Sequence, residues 1–460
     1  MAAQAGVLDR IFKTSDRNTT VRTEVVAGVT TFMTMAYILF VNPSILSGAV
    51  GTDNAFPALL TATAVAAAVM TLAMGLVSNY PFAVASGMGL NAVVAFQLVG
   101  AQQLTYGEAM GVIVTEGILI TILVLTGFRE AVLNAIPTEL KKAIGAGIGL
   151  FITLIGFANA GIVVAGQGTP VARGNLDSAK VAVFVVGLLV TAWLVTRRTK
   201  GALLIGILGT TVLAIVVNAA NGGDLWQNGI ATLPNSVVAS PDFSMFGQVS
   251  FEYLGKLGAI SAVLAVFTLM LADFFDTMGT AVALGNEGGF LDRDERLPGM
   301  RKVLLVDSLA AAVGGLAGAS SATTYIESAA GIEEGGRTGL TSVVTGLLFA
   351  VAIFFSPIAG VIPAEATAPA LILVGFLMLS VIRDIDWNEY AIAIPAFLTI
   401  VVMPFNYSIT DGIGWGFVTY SVIHILLGKV RDLHWMMLLS SVAFAVYFAI
   451  DPVRRLLGVG

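Results

Sequence analysis

Fifteen apolar runs recur along this chain, and most are long enough to cross a hydrocarbon layer. Charge is confined almost wholly to the gaps between them. There are 23 Lys+Arg and 29 Asp+Glu in 460 residues, where an ordinary globular chain carries roughly a quarter of its residues charged. A soluble fold of this length would lack the charge to cover its surface. Disordered, fibrous and disulfide-rich secreted chains are excluded too, because the sequence is apolar, free of short repeats and without cysteine. The class that remains is an all-α polytopic membrane protein.

The missing cysteines remove thiolate chemistry and Cys-built metal sites. The two histidines, His424 and His434, have no partner motif, so neither a metal nor any other cofactor is expected. A net charge of −6 leaves no footprint for nucleic acid. Residues 1–23 are polar and basic, which argues against a cleavable signal peptide.

The runs fall at 24–45, 57–79, 84–100, 108–127, 140–163, 179–196 and 201–219, then at 258–285, 303–318, 322–335, 338–357, 364–382, 388–404 and 409–428. A polar stretch, 220–250, separates the two sets. With the N-terminus in the cytoplasm, only Arg173, Lys180 and Lys256 fall outside. Eighteen other basic residues fall inside, leaving Arg454 and Arg455 in the tail. The last run, 434–450, would carry that pair outward if it crossed, so an interfacial or re-entrant tail is favoured and the C-terminus is expected in the cytoplasm. Fourteen spans divided seven and seven place the halves in opposite orientation, the inverted repeat of secondary transporters.

The third segment of each half is short and interrupted. One reads Phe82-Ala-Val-Ala-Ser-Gly-Met-Gly-Leu-Asn91, with Gly87 and Gly89; the other reads Ser320-Ser-Ala-Thr-Thr-Tyr-Ile-Glu-Ser328. Broken segments at matching positions point to a binding site at the repeat interface. Small residues that merely let helices approach closely are the plainer explanation for the glycines alone.

Six acids lie in or at the apolar runs: Glu24, Glu116, Asp273, Asp276, Asp307 and Glu327. A carboxylate at mid-membrane costs roughly 2.5–3.5 kcal/mol on insertion scales and therefore seeks a cavity or a partner. Glu24 opens its run and reads as an interfacial or helix-start acid. Glu116 and Asp307 stand alone in theirs and read as buried structural hydrogen-bonding groups.

Asp273 and Asp276 are spaced i and i+3, which expects both on one helical face, with Thr280 continuing that face one turn later. Two like charges that close do not both ionise comfortably in low dielectric. A carboxylate that exchanges a proton with site occupancy is what proton-coupled transport needs. Glu327 follows Thr324 and Tyr325 where a half-helix is expected to begin with free backbone N–H groups, and Asn91 holds the corresponding place after Gly89. Carboxylates, an amide, backbone N–H groups and the aromatics Phe275 and Tyr325 together suit a flat polar heterocycle. The absence of a cation from this set argues against anionic cargo.

Four motifs carry a resemblance: Thr30-Thr-Phe-Met-Thr-Met-Ala-Tyr-Ile-Leu-Phe-Val-Asn-Pro43, Gly87-Met-Gly-Leu-Asn-Ala92, Asp273-Phe-Phe-Asp-Thr-Met-Gly279 and Thr323-Thr-Tyr-Ile-Glu-Ser-Ala-Ala-Gly331, with Glu334-Gly-Gly-Arg-Thr-Gly-Leu-Thr341 alongside. From about residue 10 to 430 the chain resembles the adenine/guanine/hypoxanthine permease branch of the nucleobase–ascorbate transporter superfamily. The resemblance implies fourteen spans in two inverted seven-helix repeats, with a short strand and half-helix at spans 3 and 10.

It also implies a core domain in two parts, 1–127 and 258–357. The gate domain would likewise fall in two parts, 128–219 and 358–432, with an external loop at 220–257 and a tail at 433–460. A homodimer through the gate domain and an elevator motion of core against gate belong to the same expectation. Carried over by motif, Asp276 and Glu327 resemble purine-contacting residues, Asn91 a supporting asparagine and Asp273 a neighbouring acid needed for transport. Gly89, Thr324, Phe275 and Tyr325 complete the expected substrate site; Asp273, Glu327 and Thr280 are its expected coupling and supporting groups. Ser86 departs from the pattern, which usually has proline before Gly-Met-Gly.

The function so implied is proton-coupled import of adenine, hypoxanthine or guanine across the cell membrane, with Na⁺ as the other candidate ion. A transporter of uracil or xanthine is the nearest alternative. An intramembrane enzyme is more remote, because Asp273 and Asp276 share one helix turn instead of facing each other across spans. No Walker-type loop is present to support ATP-driven pumping.

Overall fold

The computed structural model describes residues 7–52, 55–126, 136–166, 168–227, 229–234, 236–292 and 297–456. Among them, nine helical stretches are long and apolar enough to cross a membrane. The first, Val21–Val50, is two helices, α1 (Val21–Met35) and α2 (Ile38–Val50), joined through a tight turn in which Leu39 and Phe40 donate to the carbonyls of Ala36 and Tyr37. Next come α3 (Ala55–Ser78), a strand β1 (Val84–Ser86), the short α4 (Met88–Ala92), which runs on as a π-helix over Val93–Ala101, and α5 (Tyr106–Thr126). Helices α6 (Thr138–Asn159), α7 (Ala179–Thr196) and α8 (Ala202–Ala220) close the first half.

The second half holds α9 (Ala259–Glu287), α10 (Met300–Ala317), a strand β2 (Ala322–Thr324) and the short α11 (Ser328–Glu333). It continues with α12 (Gly339–Ala352), α13 (Ala364–Leu379), α14 (Tyr390–Asn406) and α15 (Ile409–Leu426), and ends in α16 (Trp435–Leu456). Helix α10 is outside the nine because Arg301, Lys302 and Asp307 interrupt its apolar sequence.

The interrupted segments are the two strands. They pair antiparallel across the halves, Val84 with Thr324, Ala85 with Thr323 and Ser86 with Ala322. The pairing extends at both ends, from Gly87 N–H to the Ser321 carbonyl at 2.9 Å and from Tyr325 N–H to the Ala83 carbonyl at 2.9 Å. All six strand residues are buried. Non-helical backbone at membrane depth survives only where protein satisfies it, and each strand supplies the other's partner.

Packing sorts the helices into two sets of neighbours. Helix α12 lies on α3 and α1, and α10 lies on α5 and α3; elsewhere α6 lies on α13 and α14, α8 on α7 and α13, and α15 on α14. Glycines bring backbones together in both sets. Gly149 faces the Gly375 carbonyl, and Gly75 faces that of Gly339.

Glu24 takes the helix-start place expected of it, in the first turn of α1. It is fully buried, and its carboxylate accepts from the backbone N–H groups of Arg337 (2.8 Å), Thr338 (3.3 Å) and Thr341 (3.2 Å) and from the Thr341 hydroxyl (2.6 Å). It is also a helix-start acid for α12, which lies more than 300 residues further along the chain. The donors at that helix end offset the cost of burying the charge.

Candidate functional site

Where the paired strands end, a cavity of about 400 Å³ opens between α4, α9 and Ile326-Glu327 on one side and α6 and α13 on the other. Its walls follow helical spacing. Helix α9 presents Ala272, Asp276, Gly279 and Thr280; α6 presents Lys141, Ile144, Gly145 and Ile148; α13 presents Val374, Leu377 and Met378. A narrower recess of about 80 Å³ continues past Gly89, Thr324 and Tyr325. The surface is mostly apolar, with Asp276 and Glu327 as its two carboxylates.

Glu327 is braced from α1–α2: the Tyr37 hydroxyl donates to Glu327 Oε1 at 2.6 Å, and Tyr37 is fully buried. Tyr325, next to it, donates its hydroxyl to the Ser86 carbonyl and so ties the second broken segment to the first. Beneath the recess, Asp307 Oδ1 accepts from the Thr324 backbone N–H and hydroxyl, both at 2.9 Å. Its Oδ2 accepts from Thr277 Oγ1 at 2.7 Å. Thr277 follows Asp276 in α9, and Thr324 precedes Glu327 by three residues. Asp307 therefore clamps together the two elements that carry the cavity acids, in line with the structural role expected of it.

Of the residues singled out by sequence, Asp276, Glu327, Gly89 and Thr280 line both parts of the cavity, and Thr324 and Tyr325 line the recess. Asp273 does not join them. A spacing of i, i+3 leaves the two side chains about 60° apart around a helix, and that rotation turns Asp273 away from the cavity into the fully buried interior. Asn91 is likewise fully buried and absent from the cavity wall, with neither amide atom hydrogen-bonded among the described residues. It lies two residues past Gly89, on the other face of α4. The side chain of Phe275 lies outside the described residues.

The free N–H groups expected at the start of α11 are occupied. Ser328, Ala329 and Ala330 donate to the carbonyls of Tyr325, Ile326 and Glu327 in tight turns. Two polar residues of the site were missed. Tyr37 sits inside the first quoted motif, so a signal existed. Lys141 reads as one of a cytoplasmic Lys-Lys pair, and only the packing of α6 places it on the cavity wall. The cavity thus has a cation at its margin, contrary to the set read from sequence.

No group of three or more Asp, Glu or His side chains suited to a metal occurs among the described residues.

The Permease family model, Xan_ur_permease, matches residues 22–414. The putative permease MJ0326 of Methanocaldococcus jannaschii is 41% identical over 441 residues, covering 96% of this chain and 98% of that protein. The adenine permease AdeP of Escherichia coli K12 is 41% identical over 439 residues, 95% of each chain. The guanine/hypoxanthine permease PbuG of Bacillus subtilis is 38% identical, over 95% of this chain and 98% of its own.

Among solved structures, the transmembrane domain of the cyanobacterial bicarbonate transporter BicA aligns with a TM-score of 0.57 at 15% identity, covering 92% of this chain and 97% of that one. Murine Slc26a9, an anion transporter captured facing inward, aligns at 0.61 and 10% identity, covering 88% and 68%. At those identities the likeness is one of fold. The curated relatives are permeases and not enzymes, which sets aside the intramembrane-enzyme reading. This multi-pass membrane protein belongs to the Permease family, on the branch that also holds the adenine and guanine/hypoxanthine permeases.

Proposed function

We propose that the chain is a secondary active transporter that imports purine nucleobases (adenine, hypoxanthine or guanine) across the cell membrane together with protons. The observation that carries the reading is the pair Asp276 and Glu327 facing one largely apolar cavity at the broken segments. Carboxylates accept from the ring and exocyclic N–H groups of a purine, while the apolar walls cover its faces. Relatives of 41% and 38% identity, named for adenine and for guanine/hypoxanthine respectively, support the same substrate class. Lys141 stands more than one helical turn along α6 from Ile148, the residue that abuts Gly89. It suits the mouth of the cavity better than its floor.

In this reading the protein has fourteen spans in two inverted sets of seven, with both termini in the cytoplasm. The set containing α1–α5 and α9–α12 is the core domain, and α6–α8 with α13–α15 form the gate, which also makes the homodimer contact. The two packing sets and the cavity between them support an elevator motion of core against gate.

Purified protein tests the substrate class. Adenine, hypoxanthine or guanine should raise its melting temperature in detergent, and uracil and xanthine should not. Stabilisation by uracil or xanthine alone would move the assignment to another nucleobase. Tyr37→Phe should weaken the purine response roughly ten-fold, because Glu327 loses a hydrogen bond worth about 1.5 kcal/mol. Isothermal titration of the two proteins checks that figure.

A further inference from the structure

Glu116 occupies the middle of α5 and is fully buried, yet neither carboxylate oxygen has a hydrogen-bond partner among the described residues. Among the described residues, the structural hydrogen bond expected of it from sequence is not made. The charged group that acts on it is Asp307, across the α5–α10 contact. The Ser321 hydroxyl faces it without closing a hydrogen bond, and Ser321 and Ser320 are themselves fully buried with unpartnered hydroxyls. Glu116, Asp307 and Ser321 form a buried polar cluster, and none of the three lines the cavity or its recess.

The other polar neighbours are committed elsewhere. On α5 itself, Glu108 pairs with Lys256 at 2.8 Å, and Thr115 meets the Tyr253 hydroxyl. From α10, Arg301 reaches the Leu125 carbonyl at the far end of α5. From the π-helix, Gln97 donates to Thr410. Helix α9 brings Asp276, which faces the cavity, and Asp273, buried in the interior.

An ionised carboxylate with no donor, beside a second carboxylate in low dielectric, is far more costly than the neutral acid. Among the described residues, Asp307 accepts from the Thr324 backbone N–H and hydroxyl and from Thr277, whereas neither oxygen of Glu116 has a donor. We propose that Glu116 holds the coupled proton, in a buried polar cluster with Asp307 and Ser321 outside the cavity lining. Loss of that proton sets two negative charges side by side. The repulsion falls on Asp307, whose hydrogen bonds to Thr277 and Thr324 hold the elements carrying Asp276 and Glu327. Proton release from Glu116 is thereby linked to the geometry of the substrate acids. No bond other than the carboxyl O–H is made or broken.

This inference rests on the proton-coupled reading above, and reconstituted vesicles separate the two. Wild-type protein and Glu116→Gln, which mimics the protonated acid, are compared in adenine counterflow without a gradient and in accumulation driven by an inward proton gradient. The expected result is counterflow within about two-fold of wild type and driven accumulation at least ten-fold lower. Driven accumulation equal to wild type in Glu116→Gln would overturn the assignment. Gradient-insensitive uptake by the wild type would instead remove proton coupling itself.

Should Glu116→Gln fail to fold, Ser321→Ala gives a second reading. Removing the hydroxyl that faces Glu116 should move the pH profile of driven uptake to higher pH while adenine affinity stays unchanged. An unmoved profile would also overturn the proposal.

Discussion

Asp276→Asn and Glu327→Gln each abolish measurable purine binding while the protein is produced and purified as the wild type is. Both side chains are half-buried on the cavity wall, so neither substitution opens a void. What changes is that an acceptor becomes an amide whose N–H₂ group faces donors on the base. Losing a charge-assisted hydrogen bond costs about 1.5–3 kcal/mol, and leaving a buried donor unmatched adds a further 1–3 kcal/mol. The combined cost of about 2.5–6 kcal/mol is a fall in affinity of about seventy-fold or more. Isothermal titration with adenine, hypoxanthine and guanine checks it. Affinity within three-fold of wild type in either variant would show that the base sits elsewhere.

Gly339→Leu eliminates the folded protein. Helices α3 and α12 touch backbone to backbone: a Cβ at Gly339 would stand 1.9 Å from the Gly75 carbonyl oxygen, and one at Gly75 would stand 2.4 Å from that of Gly339. No side chain can yield there, so the helices must separate. That loss falls beside the buried Glu24 clamp and the start of α12. Overpacking a core costs typically 1–3 kcal/mol when neighbours can shift, and more when the obstruction is backbone. The expected outcome is no monodisperse peak on size-exclusion chromatography in detergent. Gly209→Ala serves as the control, because nothing lies within 4 Å of a Cβ there, and it should elute as the wild type does.

Much of the frame was legible in the sequence because a membrane penalises misplaced polarity so heavily. Apolar runs marked the helices to within a few residues, and the two interrupted runs marked the paired strands. Acids out of place marked Asp276 and Glu327. Facing was harder to read. The i, i+3 spacing promised Asp273 and Asp276 a shared face, but 60° of rotation is enough to put one in the cavity and the other in the core. Asn91 and Gly89 separate for the same reason.

The far wall left no mark of its own. Ile144, Ile148, Val374 and Met378 are ordinary apolar residues in ordinary apolar helices, and only the packing of α6 against α13 makes them a surface. Lys141 was hidden by belonging to a basic pair that topology already explained. Glu24 and Glu116 show the opposite limit. Both are acids in apolar runs, yet among the described residues one meets a distant helix end with four donors and the other meets none. That difference depends on partners remote in the chain, or on their absence.

Purine uptake into proteoliposomes tests the central claim most directly. Radiolabelled adenine, hypoxanthine and guanine are offered to vesicles holding the purified chain, with and without an inward proton gradient, and uracil is offered in parallel. The account predicts saturable accumulation of at least one purine, raised several-fold by the gradient and lost in Asp276→Asn. No accumulation of any purine by folded, correctly inserted protein would contradict it.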